Sequence, residues 1–381
     1  MARGANDSRR ARKLLLAALQ TPETLPALPP ADWELLLRVA RRARVLGRIE
    51  SELARAGLLD HIPPRAATHL KAARNVIQHR KTLVSWEVNR LLWALQGIDV
   101  PLILLKGTGY LMAGLPPAHG RIFADVDLLI PEQRIAEVEE RLLACGWFRT
   151  HIDPYDDRYY RVWMHEIPPL RHRERGTEID IHHRLLPRTS HFKSDPEPLF
   201  ATARPLADPR LRVLAPADMV LHALAHLFLE GDPDEGLRLR DLVDVHDLLG
   251  EFARDPGFWR ELVARARELG FGRLLFYGLQ NAQHLLATKV PPDVLQQMER
   301  DAPSWPVRKL MARLIPLALL PEHPDHPSRR AELSRWLLYI RAHWLRMPPL
   351  LLSRHLSHKA WLRLRGAKKR IDLAQLDLKQ Q

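Results

Sequence analysis

The chain has 381 residues, of which 46% are hydrophobic, and a formal net charge of +13 at pH 7. This length allows two or three domains, and the hydrophobic fraction excludes wholesale disorder. No apolar run approaches the roughly 18 residues of a membrane span, and the one cysteine excludes an intramolecular disulfide, so we expect a cytoplasmic protein without a transmembrane segment.

Residues 1–96 are predicted to be helical. The stretch ADWELLLRVARRARVLGRIESELARAG repeats apolar residues at spacings of three and four, which is typical of an amphipathic helix. Asp32 is a candidate N-cap of this helix and Gly57 a candidate stop. A longer helix is expected after Pro63 and Pro64, up to about residue 96.

Residues 97–190 are predicted to form a compact α/β core. IDVPLILLKG and RIFADVDLLI indicate buried strands, and EQRIAEVEERLLACG indicates an amphipathic helix that ends at Gly146. The stretch RYYRVWMHEIPPLRHRERGTEIDIHHRLL predicts strands around a turn at Arg175-Gly176. Nearby aromatic residues are expected to pack in these strands, with stacking on a nucleotide base as the alternative: Tyr155, Tyr159, Tyr160 and Trp163.

Helices return in residues 191–381, so the predicted fold class is α+β, a small mixed-sheet core flanked by N- and C-terminal helical regions. His222 and His226 share a helix face, and His246-Asp247 is an H-D pair. These residues indicate either an HD-type metal site or ordinary helix packing, with Asp244 in a helix-packing or polar-network role. The basic end of the chain around Trp361 predicts a solvated helix, or a surface for RNA or acidic lipid.

The acidic strand is the feature that points to chemistry. Asp125 and Asp127 alternate with Val126 and Leu128, so their carboxylates share one strand face, with Cα atoms roughly 6.6 Å apart. Two such carboxylates repel unless a divalent cation lies between them. Asp180 in TEIDIHHR completes a triad if its strand lies beside the first. The triad predicts a site for Mg²⁺, or alternatively Mn²⁺, with Asp180 as base or second-metal ligand. The simpler alternative is that the aspartates are ordinary exposed polar residues of a strand.

A glycine-containing segment lies between the first strand and a predicted short helix. It reads Lys106-Gly107-Thr108-Gly109, and its glycines would let backbone amides approach a phosphate group. Lys106 or Arg121 would neutralise further phosphate charge. We therefore expect this segment to bind a phosphate group.

These motifs together resemble a known family. LKGTGYL, RIFADVDLLI and GTEIDIHHR are similar to segments of the uncharacterised nucleotidyltransferase-like proteins of the DNA polymerase beta superfamily, and the resemblance spans roughly residues 83–250. It implies a nucleotidyltransferase core in which Asp125, Asp127 and Asp180 bind metal and Gly107 lies in the nucleotide loop. It also offers the alternative that His222 and Asp244 brace the helical domain against the active site. The chain departs from the Gly-Ser pair usual in the superfamily, because Thr108 follows Lys106-Gly107.

The sequence therefore predicts a Mg²⁺-dependent nucleotidyltransferase that moves a nucleoside monophosphate from an NTP, such as ATP, to a hydroxyl acceptor. The acceptor is left open among protein, tRNA and small molecules. One alternative is an inactive protein of the same fold that binds nucleic acid or a protein partner, and the other is an HD-type metal phosphohydrolase. The predicted catalytic and metal-binding residues are Asp125, Asp127 and Asp180, and the predicted nucleotide-binding residues are Lys106, Gly107, Thr108 and Arg121.

Overall fold

A computed structural model describes residues 2–150, 154–192, 195–230 and 237–348 of the chain. In this part, α-helices surround a seven-stranded mixed sheet, which confirms the predicted α+β class with helical flanks. None of the helices described is long and apolar enough to cross a membrane. The basic segment around Trp361 lies outside the described residues.

The N-terminal helices are α1 (Ala2–Gln20), α2 (Pro30–Arg42), α3 (Leu46–Arg55) and α4 (Pro64–Ala94). The stretch predicted as one helix is divided into α2 and α3 near Arg44, whose φ of 59° lies in the left-handed region. The Asp32 N-cap is wrong, because α2 begins at Pro30. Gly57 follows the end of α3 with a φ of 68°, as the predicted stop requires.

The sheet has the strand order β3-β4-β5-β2-β1-β7-β6. Its strands are β1 (Leu102–Leu104), β2 (Val126–Leu129), β3 (Trp147–Arg149), β4 (Leu170–His172), β5 (Glu178–His182), β6 (Arg204–Pro205) and β7 (Leu211–Val213). β2 is parallel to β5 and β1 is parallel to β7, whereas the other neighbours are antiparallel. The sheet therefore takes two strands from beyond residue 190, the predicted end of the α/β core.

The helices between the strands are α5 (Lys106–Met112), α6 (Ile135–Ala144), α7 (Pro154–Trp163) and α8 (Glu197–Thr202). The strand prediction for RYYRVW is wrong, because these residues lie in α7. Aromatic residues favour strands, but Pro154 suits the first turn of a helix. Asp157 also accepts a hydrogen bond of 3.1 Å from Arg161, four residues later, and Arg161 binds Glu139 of α6 at 2.9 Å.

The C-terminal helices are α9 (Pro216–Leu229), α10 (Leu239–Phe252), α11 (Phe258–Glu268), α12 (Gly272–Leu286), α13 (Pro292–Met298), α14 (Trp305–Leu319) and α15 (Arg329–Arg346). α9 is buried along nearly its whole length and packs against α10 and α11. One buried hydrophobic cluster runs from the N-terminal helices through the sheet into these helices. The flanks are thus packed on the sheet, which allows them to contribute residues to a site there.

Candidate active site

Two carboxylates stand at the start of the central strand β2. Asp127 lies within the strand and is only 3% exposed, whereas Asp125 precedes the strand and is exposed. Val126 and Leu128 between and after them are buried in the core. The amide of Leu105 donates a 3.0 Å hydrogen bond to the carbonyl of Asp127. The end of β1 thereby fixes the backbone that carries the acidic pair.

Asp180 lies directly beside Asp127. β2 and β5 are parallel and their Cα register pairs these two residues, so the predicted adjacency of the two acidic strands is confirmed. Asp180 Oδ1 is buried and has no hydrogen-bond partner among the described residues. Burial, followed by the charges of Asp127 and Glu166, raises the pKa of Asp180 well above its usual value. Partial desolvation and the Asp127 charge likewise raise the pKa of Asp125.

Lys106 is the cation that balances Asp127. Its Nζ lies 2.9 Å from Asp127 Oδ1 and 4.0 Å from a carboxylate oxygen of Glu230. Burial alone would lower the pKa of Lys106, but the charges of Asp127, Glu230 and Glu166 raise it above its usual value. Burial would raise the pKa of Asp127, but Lys106 and His182, whose Nε2 is 3.2 Å from Oδ1, hold it below its usual range. Asp127 is therefore ionised at neutral pH.

Helices α9 and α10 extend this charge network. His226 Nε2 lies 3.4 Å from Glu230, and His226 Nδ1 lies 3.2 Å from Asp241. Asp241 also accepts a 2.9 Å hydrogen bond from the guanidinium of Arg240. Burial would raise the pKa of Glu230, but Lys106 and His226 hold it well below its usual value. The helical domain thus supplies Glu230, one of the carboxylates near Lys106.

Arg121 connects the core to the same helices. Its guanidinium forms an ion pair with Asp244 of α10, a contact between the core and the helical region. Burial lowers the pKa of Arg121 to about 10, so the group stays charged at neutral pH. A Cβ at Gly107 would lie 2.9 Å from Arg121 Nε and 3.3 Å from Phe123. Gly107 is therefore required for the close approach of Arg121.

The H-D pair of the sequence does not form a metal set. His246 Nδ1 lies 2.7 Å from the hydroxyl of Thr288, and Asp247 accepts two hydrogen bonds of 2.6 and 2.8 Å from Arg48. His222 is buried, and burial together with the Lys106 charge lowers its pKa well below the usual value. These contacts are those of packed helices and give no support to an HD-type site.

A cleft of about 220 Å³ opens beside Asp125 and Asp127. Its basic lining comes from the break between α2 and α3, from the core and from the segment at the start of α10: Arg44, Lys106, Arg121, Arg238 and Arg240. Gly107 and His226 also line it. Cationic groups that converge on a partly enclosed cleft favour a polyphosphate ligand, since guanidinium groups bind phosphate oxygens through charged hydrogen bonds.

The sequence predicted many of the residues that line this cleft, but not all of them. Five of the predicted residues line the cleft: Lys106, Gly107, Arg121, Asp125 and Asp127. Thr108 is buried, and its hydroxyl donates a 3.1 Å hydrogen bond to the carbonyl of Asp125, so its side chain holds the backbone just before β2. Sequence reasoning missed four residues of the flanks, Arg44, Glu230, Arg238 and Arg240, and it considered His226 only for the HD-type alternative. The only local signal for this group is the four-residue spacing of His226 and Glu230 at the end of α9.

Comparison with known proteins gives one match. The family model described as an uncharacterised nucleotidyltransferase matches residues 29–287, from just before α2 to just after α12. The match covers more than half of the chain and contains every residue of the cleft, and the chain belongs to this family. No curated protein matches the chain, and no solved structure does.

Proposed function

We propose that this member of the uncharacterised nucleotidyltransferase family transfers a nucleoside monophosphate from an NTP to an acceptor hydroxyl, in a Mg²⁺-dependent reaction that releases pyrophosphate. One observation carries the proposal: Asp127 and Asp180 lie side by side on parallel strands, with Asp125 at the mouth of a basic cleft. Phosphoryl transfer depends on two features, carboxylates that bind metal ions and cationic side chains that bind phosphate groups, and here the two lie side by side.

The donor set of the acidic triad fits Mg²⁺, with Mn²⁺ as the alternative ion. Mg²⁺ prefers carboxylate oxygens together with phosphate oxygens and water. Asp180 Oδ1 is buried and lacks a hydrogen-bond partner among the residues described, so this oxygen fits the role of a cation ligand. Asp125, Asp127 and Asp180 would hold the ion. The chemistry that a bound ion supplies is neutralisation of phosphate charge and alignment of the reacting groups.

The chain's own cations would bind and orient the triphosphate. Arg121 is fixed by Asp244, and Arg240 by Asp241, so both guanidinium groups are held in place before a ligand arrives. Rigid placement lowers the cost of binding and of reaching the reactive geometry. Lys106 is held between Asp127 and Glu230, so it would contribute charge at the boundary between the triad and the phosphates.

The transfer step has a simple balance of bonds. The acceptor oxygen forms a bond to the α-phosphorus, and the bond from that phosphorus to the pyrophosphate oxygen breaks. The proton of the acceptor hydroxyl would pass to the carboxylate of Asp180, which stands beside Asp127 on the neighbouring strand. Asp127 stays ionised beside Lys106 and His182, so the two neighbouring acids would have different roles.

The test uses the purified full-length chain, each of the four ribonucleoside triphosphates labelled at the α-phosphate, Mg²⁺, and protein, RNA and small-molecule fractions of a cell extract. We expect label in one fraction and an equal amount of pyrophosphate. Asp125→Asn should abolish both, whereas the control Asp325→Asn, which alters an exposed acid paired with Arg38, should not. Orthophosphate release without label transfer would favour a phosphohydrolase, and Mg²⁺-dependent NTP binding without turnover would favour an inactive binding protein.

A further inference from the structure

A second group of metal-ligating side chains lies where the chain passes along the end of β5. Glu166 pairs with His182 in an isolated antiparallel bridge. The amide of His183 donates a 2.8 Å hydrogen bond to the carbonyl of His165, and the amide of Ile167 donates one of 3.0 Å to Ile181. Backbone pairing therefore brings His165 and Glu166 to the same point as His182.

The distances among these three side chains suit one small cation. Glu166 Oε2 lies 3.5 Å from His182 Nδ1 and 3.9 Å from His165 Nε2, and one ligand atom from each residue lies within 4.8 Å of the others. Metal–ligand bonds of about 2.0–2.2 Å in a tetrahedral site separate the ligand atoms by roughly 3.3–3.6 Å. The distance between Glu166 and His182 already falls in this range, and His165 would have to move closer to complete the geometry.

The ring of His182 lies between two carboxylates. His182 is 1% exposed, and its Nε2 lies 3.2 Å from Asp127 Oδ1. Its Nδ1 lies 3.5 Å from the carboxylate of Glu166 and has no hydrogen-bond partner among the residues described. A buried ring nitrogen without a hydrogen-bond partner is unfavourable, and a cation shared with the neighbouring carboxylate would satisfy it. A carboxylate that orients a histidine toward a metal is a recurrent arrangement.

We propose that His165, Glu166 and His182 form a binding site for a divalent transition metal ion, with Zn²⁺ as the preferred probe. Two imidazoles and one carboxylate suit Zn²⁺, whereas Mg²⁺ prefers oxygen ligands throughout. Glu230 Oε1 lies 3.5 Å from His165 Nε2 and is available as a fourth ligand. Glu166 is 19% exposed at the side chain, which provides a path for entry.

The ion would act on the acidic triad through His182. With Nδ1 bound to the metal, the ring is fixed in the orientation and tautomer that donate to Asp127. His182 would therefore be a positioning residue, and the site would fasten the segment after α7 to the end of β5. The proposal concerns binding of the ion alone and does not depend on nucleotide transfer.

The test measures metal binding without nucleotide. Untagged full-length protein is stripped with a chelator and dialysed, and Zn²⁺ is then titrated in competition with a chromophoric chelator; visible absorption of added Co²⁺ reports the coordination. We expect one equivalent of tightly bound Zn²⁺. Glu166→Gln, which keeps the side-chain size, and His165→Gln should each weaken binding at least about tenfold. The control His246→Gln, at a histidine bonded to Thr288, should bind as the wild type does.

Two results would overturn the site. Equal Zn²⁺ affinity in the wild type and in Glu166→Gln would mean that Glu166 is not a ligand. Loss of Zn²⁺ in Asp125→Asn, with retention in His165→Gln, would assign the ion to the acidic triad. If His165→Gln fails to fold, Glu166→Gln decides, because it is isosteric and partly exposed. If the chain binds Zn²⁺ as expected but transfers no label, the Zn²⁺ site is supported and the proposed transferase activity is contradicted.

Discussion

Replacing Asp180 by asparagine should stabilise the metal-free protein and abolish its chemistry. Asp180 stands beside Asp127 with a buried oxygen that has no hydrogen-bond partner in the described part of the chain. Burial, and then the charges of Asp127 and Glu166, raise its pKa. An acid whose pKa is higher in the folded than in the unfolded state lowers the free energy of unfolding wherever the unfolded chain is ionised. Asparagine keeps the shape and removes the charge.

The sign and size of the effect depend on pH. Below about pH 4, the usual pKa of an aspartic acid, Asp180 is neutral in both states and the variant gains nothing from the lost charge. Above about pH 4, the free energy of unfolding of the wild type falls by about 1.4 kcal/mol for each pH unit, up to the pKa of Asp180 in the folded state. The buried amide of asparagine has a desolvation cost of its own. We therefore expect a net gain in the free energy of unfolding of about 1–3 kcal/mol at pH 7.

Urea unfolding in EDTA between pH 4 and pH 8 measures this difference. Added Mg²⁺ should stabilise the wild type in proportion to RT ln(1 + [Mg²⁺]/Kd) and stabilise Asp180→Asn much less, so the advantage of the variant should shrink. The control Asp325→Asn, at an exposed position, should change the free energy of unfolding by less than about 0.5 kcal/mol. A metal-free Asp180→Asn protein that is less stable than the wild type at pH 7, or a difference that does not vary with pH, would refute the reasoning.

Three further outcomes are expected. Asp125→Asn should abolish label transfer at an unchanged or slightly raised melting temperature, because it removes a charge that partial burial and Asp127 disfavour; retained transfer in Mg²⁺ would remove it from the site. Gly107→Ala puts a methyl group 2.9 Å from Arg121 Nε and should weaken NTP binding in calorimetry more than it lowers the melting temperature; unaltered affinity would make the glycine a packing requirement alone. Lys106→Met leaves the Asp127 carboxylate buried without its cation and should cost about 3–5 kcal/mol at pH 7 in urea unfolding. Because the pKa of Asp127 is lowered in the folded state, its contribution is present above about pH 4 and lost at lower pH, so the Lys106→Met penalty should decline there; a penalty constant with pH would argue for lost packing instead.

The acidic strand could be predicted from sequence because its information is local. Alternation with Val126 and Leu128 fixes which way Asp127 points once the apolar residues are buried. The position of Asp180 is not local, since it depends on β5 pairing with β2 in the register that opposes the two acids. The stretch that became α7 was misjudged because aromatic propensity for strands outweighed the weaker helical signal of Asp157 and Arg161 at four-residue spacing.

The basic wall of the cleft could not be predicted, because nothing in the sequence distinguishes its members. The chain has 58 lysines and arginines, so Arg44, Arg238 or Arg240 has no individual signal. Tertiary structure brings each of them to the cleft. The break between α2 and α3 places Arg44 there, and the segment that enters α10 places the other two beside Arg121.

The residues of the cleft are divided between the α/β core and the helical flanks, and this division bears on which part of the chain would select the ligand. The acids that would perform the chemistry all lie in the α/β core, whereas three of the five cations of the cleft belong to the helical flanks. Lys106 is likewise balanced from both sides, by Asp127 of the core and by Glu230 at the end of α9. The isolated core would therefore keep the triad but lose most of the positive charge of the cleft. In the proposed reaction, affinity for the nucleotide and contacts with the acceptor would then depend on how the flanks are packed against the sheet.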